Sequence, residues 1–348
     1  MSKAMSTHPQ ARQQTSSARA LSRDVAVAAG VSQSTVSRAL RDDPRISSAT
    51  RERVRLAAQQ LGYVPNSVAR NLRERRSRVV GVMVEDIDNA FYQELLADMH
   101  QELLLAGYAF TLIVDPLHLR SDVARLTHLL DASLDGLIVT TATLGSDAPA
   151  TLQRRGVPMV LSVRSVPNLQ VDIVESDNVA AGQLAARHLV SLGHQDVAAV
   201  MGPEVTSTTQ DRIVGAKQVF GHSLLPHRVL HGPYSHESGH AHCRRLLQSE
   251  QPPTAIMAAN DVLAIGVMDA ARQMGYSIPE DVSVIGFDDI QMASWHSFRL
   301  TTVRQDTKSI AVQSARRLIE RIEDPNSPIT HDKFPVSLTM RSTTAPPK

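Results

Sequence analysis

Short apolar runs alternate with helix-length stretches from residue 79 to the end of the chain. Four runs, VVGVMV, YAFTLIV, GLIVTT and VPMVLSV, precede residue 177, and three, VAAVMG, TAIMAAN and VSVIGFD, follow it. Such alternation is typical of βαβ units and parallel sheets. We therefore predict an α/β body of parallel sheets flanked by helices, with one lobe over about 79–177 and a second over about 178–304.

Charge is divided unevenly along the chain, although the formal net charge is only +1. Residues 1–78 hold 15 Lys and Arg against 5 Asp and Glu, a net charge of +10, and residues 79–348 hold 21 against 30, a net charge of −9. A basic segment without an apolar anchor favours a nucleic acid partner over a membrane surface. A disordered basic tail is the alternative interpretation.

The basic segment carries helix signals after residue 20, so we expect it to fold, whereas residues 1–19 are predicted to be a disordered tail. An apolar face in SRDVAVAAG ends at Gly30, a residue suited to the left-handed conformation that closes a helix. Ser32 can cap the next helix, and a third apolar pattern follows in SATRERVRLAAQQLGY. Three short helices over 20–64, two of them joined by a tight glycine turn, predict a helix-turn-helix DNA-binding domain.

The outward face of the second predicted helix carries polar side chains that can reach base edges. The candidates are Gln33, Ser34, Ser37 and Arg38. Arg can pair with guanine and Gln with adenine through two hydrogen bonds, and each good pair is worth roughly 1–3 kcal/mol of discrimination. We expect this face to read the major groove, although a solvated helix face would have a similar composition.

Residues 65–78 form a basic segment that is too short and polar to be a stable helix alone. We expect it to order when a partner copy and DNA support it. Leu72 can act as an apolar wedge in the minor groove, and a linker leucine that packs on the body is the alternative. The candidate DNA contacts of this segment are Asn66, Ala69, Leu72 and Arg73.

Polar residues that directly follow the apolar runs are candidates for a ligand site, because ligands of open α/β sheets bind beyond the carboxyl ends of strands. The polar candidates are Asp86, Asp88, Ser162, Arg164, Asn260, Asp261, Asp288 and Asp289, and Phe91 is an aromatic candidate after the first run. For Asp261 and Asp289 a helix cap is the favoured interpretation.

Several classes of protein lack support in the sequence. No apolar run reaches 18 residues and the N-terminal stretch has no apolar signal region, so we expect a cytoplasmic protein without a membrane span. Cys243 is the single cysteine, and a reduced structural thiol is expected. His236 and His240 have helical spacing, but no carboxylate or cysteine completes a metal site, so surface histidines are favoured.

Catalysis also lacks a sequence signal. The chain contains no G-x-x-x-x-G-K, G-x-G-x-x-G or G-x-S-x-G pattern, so neither a nucleotide cofactor nor an activated serine is predicted. A transport-type binding protein would share the body but would not carry the basic head. We therefore expect no enzyme activity and no cofactor.

Motifs occur in a fixed order along most of the chain. The head contains DVAVAAGVSQSTVSRAL, ISSATRERV and LGYVPNSVARNL, and the body contains VVGVMVEDIDNAFYQELL, SDNVAAGQLAARHLVSLGH, VMGP, DRIVG, AANDVLAIGVMDAARQMGYSIPEDVSVIGFDD, LTTVRQD and MRSTT. From about residue 20 to 344 the chain closely resembles the lactose-repressor and galactose-repressor family of bacterial transcription regulators. The resemblance implies a DNA-binding head, a hinge helix and a two-lobed body similar to periplasmic binding proteins. It also implies that residues 305–348, including terminal strand residues from about Phe334 to Met340, return to the first lobe.

The resemblance implies roles for individual residues in the ligand site. Arg212 matches a ligand-gripping arginine, and Asp288 matches a carboxylate that binds ligand hydroxyls or amines. Asn260 matches another polar contact, Tyr234 an aromatic ring that stacks on the ligand, and Phe91 a residue of the opposing lobe. A buried structural pair of Arg212 and Asp288 is the alternative.

The chain departs from the family pattern at three places. Val163 stands where many members have Asp while Arg164 remains, so an anionic ligand such as a sugar acid or sugar phosphate is a hypothesis. Leu21 stands at the usual Thr cap of the first helix, so Ser22 is the expected cap. In FRLTTV, Phe and Arg stand where the family has a Pro-Pro pair before LTTV, so the sequence does not predict how the two lobes approach each other there.

Together these features predict a sequence-specific DNA-binding transcription regulator, expected to be a repressor, that is controlled by a small-molecule effector between the lobes. A homodimer or a tetramer is expected to bind a pseudo-palindromic operator through Gln33, Ser34 and Arg38 in each half-site, with paired Leu72 side chains at its centre. The expected effector is a sugar or a sugar derivative. A nucleobase or another metabolite is the alternative effector, and an α/β enzyme fused to a DNA-binding head is the alternative function.

Overall fold

The computed structural model describes residues 20–63, 76–115, 134–221 and 224–348. The chain divides after Arg75 into a small N-terminal unit and a large unit over Arg76–Lys348. The predicted tail and the predicted contacts of the hinge segment, which are Asn66, Ala69, Leu72 and Arg73, lie outside the described residues. Their roles therefore remain predictions.

The described part of the N-terminal unit consists of three helices, α1 (Ser22–Ala29), α2 (Gln33–Ala39) and α3 (Ser48–Gln60). They enclose an apolar core in which Val25, Val36 and Val54 are buried. Gly30 has a φ of 64°, the left-handed conformation that closes α1 before the turn to α2. The predicted helix-turn-helix domain is confirmed.

The start of α1 differs from the expectation. Leu21, and not Ser22, is the residue that precedes the first turn, and no side chain at this position makes a capping hydrogen bond. The backbone amide of Leu21 instead donates to Asp24 Oδ2 at 2.8 Å. The predicted Ser22 cap is wrong, because the Asp24 carboxylate satisfies the helix end and complements its positive dipole.

The strands of the large unit form two sheets. In chain order they are β1 (Val79–Val84), β2 (Ala109–Val114), β3 (Gly136–Val139), β4 (Met159–Ser162), β5 (Asp172–Ser176), β6 (Val197–Met201), β7 (Val229–His231), β8 (Ala255–Ala258), β9 (Ser283–Asp288), β10 (Thr301–Gln305), β11 (His331–Phe334) and β12 (Val336–Thr339). The first sheet has the order β11-β5-β4-β3-β1-β2 and is parallel throughout its described pairs. The second has the order β12-β10-β9-β8-β6-β7, in which β12 runs antiparallel to β10. The predicted two-lobed α/β body is confirmed.

Helices cover both sheets. In the large unit they are α4 (Ala90–Leu105), α5 (Ala148–Arg154), α6 (Asn178–Ser191), α7 (Ser207–Phe220), α8 (His236–Leu247), α9 (Asp261–Gln273) and α10 (Thr307–Glu323), with short 3-10 helices at Pro226–Arg228 and Gln291–Ser294. Helix α10 packs on α4 and on the strands β3, β4 and β5, whereas α6 pairs with α7 and α8 pairs with α9. Among the described helices, none combines the length and the apolar character that crossing a membrane requires.

The described chain passes between the two sheets three times. It leaves the first sheet after β5, returns after β10, and leaves again between β11 and β12. Residues after Phe334 therefore belong with the second sheet, and the expected return of this segment to the first lobe as far as Met340 is wrong. The cause is a backbone ladder from the edge strand β12 to β10, which the hydroxyl of Thr343 extends by accepting the Thr301 amide at 2.9 Å.

Glycines allow α6 and α7 to approach closely. A Cβ atom at Gly182 would lie 2.1 Å from the carbonyl oxygen of Arg212, and one at Gly215 would lie 2.0 Å from the carbonyl oxygen of Val179. Neither distance is compatible with a side chain, so this helix pair depends on glycine at both positions. The close packing brings Arg212 next to Asn178 at the start of α6.

Candidate functional site

A narrow cleft with an enclosed volume of about 40 Å³ lies between the two sheets of the large unit. Six of the eleven ligand-site candidates from the sequence analysis line it: Phe91, Arg164, Arg212, Tyr234, Asn260 and Asp288. The other described residues of the lining are Asn89, Tyr92, Val163, Thr208 and Gln305. A mixed aromatic and polar lining of this kind suits a small metabolite.

Arg212 lies on α7 and is held by several partners. Its Nε donates to Asn178 Oδ1 at 3.0 Å, and its Nη1 donates to the carbonyl oxygen of Ala259. The guanidinium carbon lies 4.8 Å from the centroid of the Phe287 ring, and Nη2 lies 4.0 Å from Asp288 Oδ1. Because the last distance is at the limit of an ion pair, Arg212 and Asp288 face the cleft as a loose pair and can both bind a ligand.

Asp288 ends β9 with a φ of 114°, an unusual value for a residue with a side chain. Its Oδ1 accepts a hydrogen bond from Gln305 Nε2 at 2.6 Å, and Gln305 Oε1 accepts one from the Ser176 hydroxyl at 2.6 Å. Burial raises the pKa of Asp288 to about 7, and the nearby Arg212 opposes this shift. The hydrogen bonds connect the cleft to Ser176 and Gln305, which end two of the strands where the chain changes sheets.

Three polar residues near Asp288 differ in role from what their position suggests. Asn260, and not Asp261, caps α9 through its Oδ1 atom. The Asp261 carboxylate is buried and accepts the Thr302 hydroxyl at 2.6 Å, and Asp289 accepts Arg341 Nη2 at 2.5 Å. The caps predicted for both aspartates are wrong, because tertiary partners bind their carboxylates instead.

A tight turn after β4 places Arg164 in the cleft. Val163 has a φ of 72°, and the Arg164 amide donates to the Ser162 carbonyl at 2.8 Å, which closes a three-residue turn that is strained for a β-branched residue. The Arg164 side chain is 3% exposed, and its Nη2 forms an ion pair with Glu85 Oε2. Its guanidinium carbon lies 5.7 Å from the centroid of the Tyr234 ring.

Aromatic rings line the cleft from both lobes. Tyr234 lies beyond β7 of the second sheet, and its hydroxyl lies 3.1 Å from the Thr208 hydroxyl and 2.9 Å from the Thr209 hydroxyl, both on α7. Phe91 is on α4 beside the first sheet and meets Tyr92 edge to face with centroids 5.5 Å apart. A flat ligand between the lobes would therefore meet a ring from each of them.

Three other candidates from the sequence do not line the cleft. Asp86 accepts the Asp88 amide at 2.9 Å in a local turn, and Asp88 itself belongs to that turn. The Ser162 hydroxyl accepts a hydrogen bond from the Ser314 hydroxyl of α10 at 2.9 Å. Their polar groups stabilise a loop or the packing of a helix. Position after a strand is the same for these residues and for ligand contacts, so the sequence alone cannot distinguish the two roles.

Sequence reasoning missed four polar or aromatic residues of the lining. Asn89 caps α4 and Tyr92 follows Phe91, so both could have been found as neighbours of the residue selected there. Gln305 ends the run LTTVRQ and had the same signal as the selected residues. Thr208 lies on α7 one turn before Arg212, and helical spacing from Arg212 could have found it.

The candidate DNA-reading face of α2 points away from the core of the N-terminal unit. Gln33, Ser34 and Arg38 are exposed and Ser37 is half-buried. Ser32 caps the helix by accepting the Thr35 amide at 3.2 Å, as predicted. Helix α2 is therefore fixed at its N-terminus, where recognition helices meet base edges.

The histidines and the cysteine of α8 do not form a reactive site. His236 Nε2 lies 3.5 Å from Asp269 Oδ2, and the His236 and His240 rings stack with centroids 6.3 Å apart. Within the described residues, no group of three or more His, Cys, Asp or Glu side chains could hold a metal ion. Burial raises the pKa of Cys243 to about 12, which suppresses its thiolate form.

A helix-turn-helix unit and a two-lobed body with a cleft together define a class of protein, the ligand-responsive DNA-binding regulators. The chain belongs to the lacI family of bacterial regulatory proteins. The family profile described as "Bacterial regulatory proteins, lacI family" matches residues 23–66, and the profile "Periplasmic binding protein-like domain" matches residues 186–344. The protein is thus a DNA-binding transcription regulator with an effector-binding domain.

Relatives match over most of the chain. The HTH-type transcriptional repressor CytR of Escherichia coli strain K12 is 32% identical over 305 residues, which cover 86% of this chain and 89% of CytR. The ribose operon repressor of Halalkalibacterium halodurans is 33% identical over 322 residues, 92% of this chain and 96% of that repressor. The Lac repressor dimer bound to operator and the anti-inducer ONPF matches with a TM-score of 0.84 and 29% identity, over 94% of this chain and all of that chain.

Proposed function

We propose that a small-molecule effector binds in the cleft and contacts Arg164, Arg212 and Asp288. The observation that carries this proposal is convergence, since six of the eleven candidates, which lie far apart in the sequence, line one cavity. Tyr234 and Phe91 supply rings for the flat face of a sugar or a base. The proposed function is regulation of transcription in the cytoplasm by this effector, and we propose no catalytic step.

The DNA-binding form is proposed to be a homodimer on a pseudo-palindromic operator. A two-fold axis would present one α2 helix to each half-site, with Gln33, Ser34 and Arg38 at the base edges. Among solved relatives, the Lac repressor is described as a dimer bound to operator, which supports this arrangement. Asn66, Ala69, Leu72 and Arg73 are proposed to contact DNA between the half-sites.

Effector binding is proposed to change the pose of the two lobes. Gln305 and Ser176 support this role, because both end strands at which the chain changes sheets and both belong to the hydrogen-bonded chain that begins at Asp288. A ligand that binds the Asp288 carboxylate therefore acts on groups at these crossings. Such a ligand shifts the equilibrium between poses by its difference in affinity for them.

A thermal-shift screen of the full chain against sugars, sugar acids, polyols and nucleobases tests this proposal. A compound at about 100 times its Kd should stabilise the folded protein by roughly 2.7 kcal/mol. Arg212→Ala should abolish that stabilisation and the effector response while leaving DNA affinity without effector nearly intact, because Arg212 lies in the cleft. Arg187→Ala, at an exposed position of α6, is the matched control and should respond as the parent does. A normal response in Arg212→Ala would exclude Arg212 from the site.

A further inference from the structure

Arg164 carries a nitrogen atom that has no hydrogen-bond partner among the described residues. Its side chain is 3% exposed, its Nη2 is paired with Glu85, and its Nη1 is buried and makes no hydrogen bond to any described residue. A buried N–H of a charged group that lacks an acceptor is costly, and such groups are rare in folded proteins. Arg164 lines the cleft, so an acceptor bound there can supply the missing hydrogen bond.

The charge of the cleft favours an acceptor that is negative. Among the described residues of the lining, the charged side chains are Arg164, Arg212 and Asp288, which give a net charge of +1 when Asp288 is ionised. Burial raises the pKa of Asp288 to about 7, so protonation near neutral pH leaves Arg212 without a full opposing charge, while Arg164 keeps its ion pair with Glu85. Glu85 binds Arg164 at Nη2 and not at Nη1, and it does not belong to the lining.

The turn at Val163 determines what lies next to this arginine. Its φ of 72° brings Arg164 into the cleft, and Val163 itself contributes an apolar surface to the lining. The Val163 side chain cannot accept a hydrogen bond from the Arg164 guanidinium, so it does not compete with a ligand for this group. The free Nη1 therefore has no competing acceptor at the adjacent residue.

We propose that the effector is a polyhydroxylated anion whose carboxylate or phosphate binds Arg164 at Nη1. This inference rests on the proposed function and names the chemical class of the ligand. Arg212 and Asp288 bind hydroxyl groups at the other end of the molecule, and Tyr234 packs against its apolar face. A charge-assisted hydrogen bond at Nη1 is stronger than one to a neutral hydroxyl, which makes the anion the discriminating group.

Matched pairs of compounds test the class of ligand on the full chain by thermal shift and calorimetric titration. D-gluconate is compared with sorbitol, glucose 6-phosphate with glucose, and inorganic phosphate serves as an anion without hydroxyls. We expect saturable stabilisation by at least one polyhydroxylated anion and none by its neutral partner. A response to the carboxylate member or to the phosphate member identifies which anion is bound, and a response to inorganic phosphate alone would contradict the need for hydroxyls.

Variants distinguish the charge effect from a loss of folding. Arg164→Gln should weaken anion binding about 10- to 100-fold, as expected for one charge-assisted bond. Arg228→Gln changes a buried arginine outside the cleft, which donates to the Gln251 carbonyl at 2.9 Å, and should bind the anion as the parent does. The melting temperature of each variant without ligand reports whether it is folded.

Substitution at Val163 gives a second test that keeps Arg164 intact. Asp and Asn tolerate a positive φ better than Val, so both Val163→Asp and Val163→Asn should fold. The two differ by one charge, and we expect the Asp variant to bind the anion at least about tenfold more weakly than the Asn variant. Equal affinities would overturn the proposed contact.

The outcomes separate this inference from the proposed function. If a neutral sugar or a nucleobase binds in an Arg212-dependent manner and no anion does, the cleft is an effector site and the anionic class is wrong. If no compound of either kind, including phosphate, stabilises the protein, both proposals fail.

Discussion

Asp288 combines several unfavourable features in one residue. It is 7% exposed, has a φ of 114°, and faces Arg212 on α7, Asp261 on α9 and Glu94 on α4. The Gln305 amide donates to it, but burial still raises its pKa to about 7. Strain and poor solvation at one site are typical of residues kept for binding at a cost in stability.

Asp288→Asn should make stability less dependent on pH. The folded protein holds a proton on Asp288 up to about pH 7, whereas the unfolded chain loses it near the ordinary pKa of 3.8, so the free energy of unfolding falls as pH rises from about 4 to 7. This group contributes up to about 1.4 kcal/mol per pH unit over that window. We expect Asp288→Asn to remove that contribution and to be more stable than the parent at pH 8. Burial also raises the pKa of Asp261, so the pH dependence that Asp261 contributes should remain in the variant.

Urea unfolding at pH 5 and pH 8 measures the difference. The parent should lose more stability between the two pH values than the variant. Parallel losses in both proteins would mean that Asp288 does not hold a proton in the folded state.

Arg38→Ala should reduce discrimination among operator variants. Arg38 is exposed on α2, where a bidentate contact to one guanine is worth roughly 1–3 kcal/mol. Binding to a set of duplexes with single base changes, at one fixed salt concentration, measures the preference. An unchanged order and spread of affinities would show that Arg38 contacts phosphate or nothing at all.

At the scale of residues, the sequence predicted some positions of the site correctly and could not predict others. The candidates Arg164, Asn260 and Asp288 follow buried strands, and this position does bring them to one cleft. Asp261 and Asp289 have the same local pattern, but their partners Thr302 and Arg341 come from distant parts of the chain. Only the folded structure reveals such partners, because local sequence cannot tell which acceptor a remote donor will reach.

Helices α6 and α7 are the elements that position Arg212, and their contact depends on glycine. Gly215→Ala should push α7 away from α6, because its Cβ would lie 2.0 Å from the Val179 carbonyl oxygen. Overpacking of this kind typically costs about 1–3 kcal/mol, and moving α7 should weaken the bond from Arg212 to Asn178 and so the effector response. Urea unfolding and effector titration measure the two effects.

Gly145→Ala is the matched control for this substitution. A Cβ at Gly145 would meet nothing within 4 Å, so the control should be near neutral in stability and in effector response. If Gly215→Ala behaved like Gly145→Ala, the helix pair would have to be more adaptable than its geometry indicates.

At the scale of elements, apolar runs predicted six buried strands and the edge strand β2, but not the edge strand β11. β1, β3, β4, β6, β8 and β9 coincide with runs of buried apolar residues, which is the pattern of strands covered on both faces. β11 has the sequence HDKF, with a mostly polar and partly exposed surface, and it pairs with β5 through backbone bonds and through contacts of His331 and Lys333 with Glu175. Such a strand has no hydrophobic signal, so its existence and its partner could not be predicted.

The whole molecule couples two binding events, and the coupling must be reciprocal. If an effector changes operator affinity by a given factor, operator DNA must change effector affinity by the same factor. We expect calorimetric titration of effector with and without operator, and operator binding with and without effector, to give equal ratios. Unequal ratios at matched salt would require a further equilibrium, such as a change in oligomeric state.

The path of the chain between the two sheets also has a consequence for synthesis. The first sheet needs α10 and β11, which lie more than 130 residues after β5 in the chain, to complete its core and its edge. On a ribosome, the early strands of this lobe therefore emerge long before the helix that covers them, and their apolar surface stays open to chaperones in the meantime. The first lobe can complete its fold only after these residues have left the ribosome.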